Sequence, residues 1–284
     1  RDLRMSRGLG DVYKRQGYTT IQPGLCPVCG SKYISGFKAG TQKIEQVVKA
    51  RFPQARVLRM DMDTTRTKDG YEQILSAFSN HEADILIGTQ MIVKGHDFPG
   101  VTLVGVLAAD LSLYISDYRA SERTFQLLTQ AAGRAGRGDI PGNVIIQTYD
   151  PDHYSITTAK EQNYEAFYGQ EIEYRKMMRY PPVWNMLYIL CASKNEAEAS
   201  EAAVALMGKI DQIVRENSEK IFPIGPSDAP VAKISDVYRK VIYVKTREYQ
   251  TLVILKDGLE AFIKDNRLYQ NVAVGFDFNP VNGF

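Results

Sequence analysis

Asp84-Ile85-Leu86-Ile87-Gly88-Thr89-Gln90-Met91-Ile92-Val93-Lys94-Gly95-His96-Asp97-Phe98-Pro99 starts as an apolar strand, halts at Gly88 and runs into a loop bearing a hydroxyl, an amide and charges. A short apolar run bounded by turn residues reads as a buried strand. Upstream, Ile44, Val47, Val48 and Phe52 recur at helical spacing from Thr41 to Phe52, with Pro53 as the breaker. Arg56 to Met60 reads as a strand, and Tyr71, Ile74, Leu75 and Phe78 mark a second helix. Downstream, Val101 to Ala109 is almost wholly apolar, which predicts a strand buried on both faces. Ser121 to Ala132 reads as a helix with Ser121 as its N-cap, and Val144 to Thr148 as another buried strand. Strands alternating with helices predict a parallel sheet covered on both faces. In such sheets ligands bind at the carboxyl ends of strands, which makes the loop after Gly88 a candidate site.

Beyond this region the pattern changes. Pro151 to Arg179 predicts one long connecting helix, stopped by Tyr180-Pro181-Pro182, because proline lacks a donor and restricts the residue before it. The remainder reads as a strand (Met186 to Ala192), an Ala/Glu-rich helix (Asn195 to Glu216), one or two strands around Ile221 to Ile234, a strand (Arg239 to Lys245), a helix (Tyr249 to Asn266) and a last strand (Val272 to Phe276). That order is βαββαβ, a small α+β domain.

The chain of 284 residues carries 35 Lys+Arg against 33 Asp+Glu, with 44% hydrophobic and 24% charged residues, a composition that excludes membrane, coiled-coil and disordered classes. Its length suits two domains. A net charge of +2 does not by itself point to nucleic acid. Three cysteines are too few for a disulfide scaffold and fit a reducing compartment, with Cys191 expected as a small core residue. The first residue is Arg, and Arg1 to Gln16 ends in Leu9-Gly10-Asp11-Val12-Tyr13-Lys14-Arg15-Gln16, similar to a translated sequencing adapter. Residues 1–16 are therefore expected to be non-native, the alternative being a native basic arm.

Gln130-Ala131-Ala132-Gly133-Arg134-Ala135-Gly136-Arg137 ends the predicted helix with two arginines three apart among glycines. Arginine is always charged and forks onto phosphate oxygens, so such a pair can neutralise a transferring phosphoryl group. A solvated Arg/Gly turn is the plain alternative.

Taken with Gly88 to His96, this stretch resembles the fifth and sixth conserved motifs of superfamily 2 helicases and translocases. Four features follow in order: Gly88 to His96, the strand ending at Asp110, Asp117-Tyr118-Arg119-Ala120-Ser121-Glu122-Arg123, and Gln130 to Arg137. Their succession narrows the resemblance to the primosomal replication-restart helicases. Gly17-Tyr18, Cys26-Pro27-Val28-Cys29-Gly30-Ser31 and Gly40-Thr41 fit the end of that family's zinc-binding insertion and the helix entering its second motor lobe.

The resemblance implies a RecA-like second helicase lobe of the P-loop NTPase type over 40–150, after the end of a zinc-binding insertion over 17–39. A connecting helix and linker over 151–182 and an α+β carboxy-terminal domain over 183–284 would follow. It implies that Arg134 and Arg137 are arginine fingers, with Gln130 and Gly133 in the same nucleotide-facing motif and Asp97 and Gly95 toward the nucleotide. Thr89, Gln90 and Lys94 would contact DNA or transmit nucleotide state. His96 is either a satisfied, partly buried side chain or a catalytic one.

Cys26 and Cys29 form a C-x2-C knuckle, two of the four ligands that a tetrahedral Zn2+ site needs; the family has further pairs, expected upstream. No G-x-x-x-x-G-K-[ST] loop and no acidic Mg2+-holding motif occur in the sequence. The chain alone is therefore expected to be inactive, while the parent resembles an ATP-driven 3′–5′ DNA helicase of replication restart. Implied partners are branched or forked DNA, single-strand-binding protein and other primosome proteins. A monomer in the bacterial cytoplasm, associated with the nucleoid and with no membrane, is expected. In the last domain Lys233, Tyr238, Arg239, Lys240, Tyr243, Lys245, Arg247 and Tyr249 interleave as nucleic-acid faces do, or form an ordinary strand face. Another superfamily 2 translocase and a non-catalytic DNA- or partner-binding module are the rival readings.

Overall fold

The structure, a computed structural model, describes residues 25, 29–32, 40–65, 70–93, 98–115, 117–137, 140–216 and 220–281. They fall into two units. Of the described residues, the first unit takes in those from Leu25 to Leu113 and from Ser121 to Phe167. The second takes in those from Tyr114 to Ala120 and from Tyr168 to Val281.

In the first unit helices and strands alternate: α1 (Thr41–Arg51), β1 (Val57–Met60), α2 (Gly70–Ser79), β2 (Ile85–Gly88), a 3-10 turn (Gln90–Val93), β3 (Leu103–Val106), α3 (Asp110–Leu113), α4 (Ala120–Ala132), β4 (Asn143–Ile146) and α5 (Tyr154–Lys160). β1 pairs parallel with β2, Met60 opposite Gly88, and β3 pairs parallel with β4, Val106 opposite Ile146. Parallel pairing is as expected, but the described strands make two separate pairs and not one sheet. Nor are β3 and β4 buried on both faces: their exposure alternates, with Leu103 58% and Ile145 63% exposed. An apolar run shows that a strand can be covered twice, not that it is.

Two further expectations are corrected here. The helix read from 151 to 179 is two, α5 and α6 (Tyr164–Met178), broken where Gln162 takes φ 53° and the Asn163 side chain accepts from the Ala166 amide. An Asx cap of this kind starts a new helix and does not continue an old one. Ser121, buried, stands inside the first turn of α4 and not ahead of it. Phe125 and Leu128 of α4, Ile156 of α5 and Phe167 of α6 form this unit's core, with Phe125 stacked on Phe167 at 4.3 Å.

The second unit follows the βαββαβ order: β5 (Asn185–Ser193), α7 (Glu196–Glu216), β6 (Phe222–Ile234), β7 (Val237–Thr246), α8 (Tyr249–Lys264) and β8 (Ala273–Phe278). The sheet is antiparallel in the order β6-β7-β5-β8. The period of two sorts β5. Leu187, Ile189 and Cys191 face a core with Leu206 and Ile210 of α7 and Leu252, Leu255 and Leu259 of α8. Full burial of side chains of this size contributes about 1.5–3 kcal/mol each. Met186 and Tyr188 face the other way, into a cluster with Tyr118, Tyr180 and Tyr243, where Tyr118 stacks on Tyr180 at 5.2 Å. Cys191 is the core residue expected of it, fully buried, with burial pushing its thiol up to about 12. Among the described residues no helix is long and apolar enough to cross a membrane.

Candidate functional site

β2 ends at Gly88, where a Cβ would run into the Met60 carbonyl and the Ile92 side chain. Only glycine allows β1 and the 3-10 turn to approach so closely. Thr89 and Gln90 follow directly and are exposed. Lys94, Gly95, His96 and Asp97 lie outside the described residues.

The second group caps α4. Gln130 is exposed in the last turn, and the Gly133 amide still donates to the Thr129 carbonyl at 3.0 Å. The chain then turns. The Arg134 amide donates to the Ala131 carbonyl at 3.0 Å, and Gly136, at φ 72°, donates its amide to the Val101 carbonyl at 3.0 Å. That bond ties the turn to the segment entering β3. Arg134 is half-buried and Arg137 exposed, and the Arg137 Nε donates to the Gly133 carbonyl at 2.6 Å. The guanidinium is thus folded back over the helix end, where helix carbonyls attract a cation. Both arginines sit on one turn of about four residues; Thr89 and Gln90 stand on another element of the same unit.

Two buried carboxylates hold strand exits of this unit: Asp110, which the sequence marks only as the end of a strand, and Asp61, which it does not mark. Asp110 accepts from the Thr148 hydroxyl at 2.6 Å and from the amides of Tyr149 at 2.9 Å and Asp150 at 3.2 Å, joining the exits of β3 and β4. Burial by itself would raise its pKa, but the Thr148 hydroxyl and the Tyr149 and Asp150 amides outweigh burial and hold it below the carboxylate range. Asp61, after β1, accepts from the Thr41 hydroxyl at 2.5 Å, the Arg59 guanidinium at 2.6 Å and the amides of Asp63 and Thr64. The Thr41 hydroxyl, followed by the Thr64 amide, Arg59 and the Asp63 amide, holds its carboxyl low against the effect of burial. Asp61 has local partners in Arg59, Asp63 and Thr64, but Thr41 is 20 residues from it and the partners of Asp110 are 38 to 40 residues away, beyond the reach of local pattern.

Cys29 is exposed, and Cys26 lies outside the described residues. No cluster of three or more His, Cys, Asp or Glu that could hold a metal occurs among the described residues. The face read on β7 also divides. Lys240 is paired with Asp228 at 2.5 Å and with Glu196 at 3.5 Å, while Tyr243 and Lys245 are buried. Eight interleaved residues therefore do not make one open surface.

Residues 32–139 match the family described as Helicase conserved C-terminal domain, and residues 176–281 match Primosomal protein N C-terminal domain. The chain is 45% identical over 268 residues to the Replication restart protein PriA of Bacillus subtilis, covering 93% of this chain and 32% of that protein. It is 41% identical over 237 residues to the protein of that name from Synechocystis, covering 84% and 28%, and 41% over 226 residues to that from Chlamydia pneumoniae, covering 79% and 30%. It spans about a third of the length of these curated relatives. The chain thus carries a helicase carboxy-terminal domain match over the unit that bears the two arginines and a primosomal protein N carboxy-terminal domain match over the βαββαβ unit, and over most of its length it is similar to replication restart proteins PriA.

Proposed function

We propose that this chain supplies the second, RecA-like motor lobe, over about 40–150, and the carboxy-terminal domain of an ATP-dependent 3′–5′ DNA helicase that restarts stalled replication forks. The observation that carries this reading is the arginine turn. A half-buried and an exposed guanidinium stand within four residues on a turn tied back to β3, within the helicase domain match. Charge fixed in this way suits phosphoryl transfer, where catalysis is mostly positioning and electrostatic stabilisation. Arg134 and Arg137 act as the fingers, with Gln130 and Gly133 shaping the same edge and Asp97 and Gly95 addressing the nucleotide. The donor set fits the phosphates of ATP only as this half of the site. No phosphate-cradling loop occurs in the sequence, so the Mg2+ ion and the remaining phosphate contacts fall to a partner lobe.

Thr89, Gln90 and Lys94 contact the DNA backbone. Forked DNA, single-strand-binding protein and primosome proteins are the partners on this reading. Zinc is different. One exposed thiol among the described residues, with Cys26 three positions before it, does not make a four-ligand set.

Fluorescence anisotropy against forked DNA over a salt series tests the DNA side. Lys94→Ala is expected to weaken binding to all sequences and lower the salt slope by about one unit. An unchanged slope would leave Lys94 a solvated loop charge. The chain alone is expected to show no DNA-stimulated ATPase; turnover abolished by Arg137→Ala would contradict the division of labour between lobes.

A further inference from the structure

Among the described residues of the second unit, five cations lie over aromatic rings, and three of them are otherwise engaged. Arg175, over Tyr118, pairs with Glu171; Lys233, over Tyr238, pairs with Asp236; Lys245, over Tyr180 at 3.7 Å, is buried and donates to the Met178 carbonyl. Arg179 and Arg247 differ. Both are exposed, and neither enters an ion pair among the described residues. The Arg179 guanidinium lies 3.6 Å from the centroid of Phe222 and 5.7 Å from that of Trp184, and Arg247 lies 5.3 Å from the same Trp184 ring. The two rings meet edge to face at 5.6 Å. The result is a platform of two rings carrying two cations; its Arg179–Phe222 side borders a cleft of about 370 Å3 also lined by Met178, Tyr180, Tyr243 and Lys245.

Arg179 occupies an unfavourable backbone position. α6 ends in a Schellman arrangement, the Tyr180 amide donating to the Arg175 carbonyl at 2.8 Å and the Arg179 amide to the Lys176 carbonyl at 3.3 Å, with φ 57° at Arg179. Such a position favours glycine. A side chain is carried where the backbone disfavours one. An arginine stacked by its face on a ring keeps its N–H edge outward, held in plane, and that edge matches the oxygens of a phosphate two at a time. The aromatic faces are taken by the guanidiniums themselves, so the platform offers charge and not base stacking.

We propose that Arg179 and Arg247, on the Trp184–Phe222 platform, bind the phosphodiester backbone of single-stranded nucleic acid independently of sequence. The choice of nucleic acid over an acidic peptide rests on the function proposed above.

The test uses the 284-residue chain and labelled oligothymidylate, with anisotropy read between 50 and 200 mM salt. Each phosphate contact on a single strand contributes about 0.7 to the salt slope, so Arg179→Ala/Arg247→Ala should lower the slope by about 1.4 and weaken binding at least tenfold. Arg179→Lys keeps the charge but loses the planar fork and should bind between the parent and Arg179→Ala. Arg179→Gly removes the backbone penalty, so its thermal midpoint should equal or exceed the parent's while its binding still weakens. A purely structural role predicts the reverse of that last pair. Oligothymidylate binding with an unchanged slope in the double variant would overturn this proposal alone. Absence of any DNA binding by the chain would overturn it together with the proposed function. Equally tight binding of a poly-glutamate peptide, lost in the same variant, would overturn the nucleic-acid assignment.

Discussion

Gly136→Ala should unfold the arginine turn without touching either arginine. Gly136 sits at φ 72°, a conformation that costs a residue with a Cβ about 1–2 kcal/mol. The added Cβ would also meet backbone, the amide and Cα of Gly142 and the carbonyl carbon of Pro141, which cannot swing aside as a flexible side chain could. The segment entering β4 must shift, and with it the bond from the Gly136 amide to the Val101 carbonyl, worth about 1 kcal/mol. Together the conformational cost and the lost bond give a loss of about 2–3 kcal/mol, to which the clash with the Gly142 backbone adds. Gly133→Ala, three residues earlier, is the control. A Cβ there meets nothing nearer than the Thr129 carbonyl at 3.5 Å, and replacing glycine where the backbone suits alanine changes stability by about +0.4 to +1 kcal/mol. The chain's single tryptophan, Trp184, belongs to the second unit, so its fluorescence does not report this loss. Urea titration followed by hydrogen exchange of the α4 amides does. A Gly136→Ala variant as stable as the parent, or a Gly133→Ala variant equally damaged, would refute the reasoning from backbone contact.

Asp110→Ala should cost about 3 kcal/mol or more, because the Thr148 hydroxyl and two amides lose their acceptor together; a urea midpoint within error of the parent would show that water replaces the carboxylate. Asp61 and Asp110 both have folded-state pKa values below the unfolded aspartate value of about 3.9, so their contribution is complete above that pH and lost as pH falls through the folded values. Urea midpoints should therefore fall on acidification below about pH 4, and less steeply in Asp61→Asn/Asp110→Asn. With iodoacetamide at pH 8, mass spectrometry should find Cys29 modified in the folded chain and Cys191 only after denaturation, since one thiol is exposed and the other is buried with its pKa pushed up to about 12. Modification of Cys191 at the rate of Cys29 would contradict the packing of β5.

The second unit was the more legible half. Its strands run 6 to 13 residues, long enough for the period of two to separate Leu187 and Ile189 from Met186 and Tyr188, and its helices carry unbroken apolar stripes. In the first unit each strand has four residues, too few for periodicity to tell one covered face from two, and Leu103 and Ile145 went astray for that reason. The break before α6 was readable in principle from Asn163 three residues ahead of Ala166, a cap signal masked by the apolar spacing around it. Among the candidate site residues the arginine turn was legible because its chemistry is local, all within Gly133 to Arg137. The cage of Asp110 was not, since its partners come near only by folding, and that of Asp61 was closed by Thr41 from 20 residues away. Arg247 stands among the interleaved cationic and aromatic residues of the last domain, but its pairing with Arg179 does not show in the sequence, because 68 residues separate the two and only folding brings Arg247 to the Trp184 ring beside Arg179.

The central claim, that the turn after α4 supplies cations to a nucleotide held elsewhere, is tested most directly by steady-state ATP turnover in the complete protein with forked DNA present. Arg134→Ala and Arg137→Ala should each lower turnover by ~10³-fold while forked-DNA affinity stays within about twofold of the parent, since arginine fingers act on the transferring phosphoryl group. Turnover within a few-fold of the parent in either variant would contradict the claim.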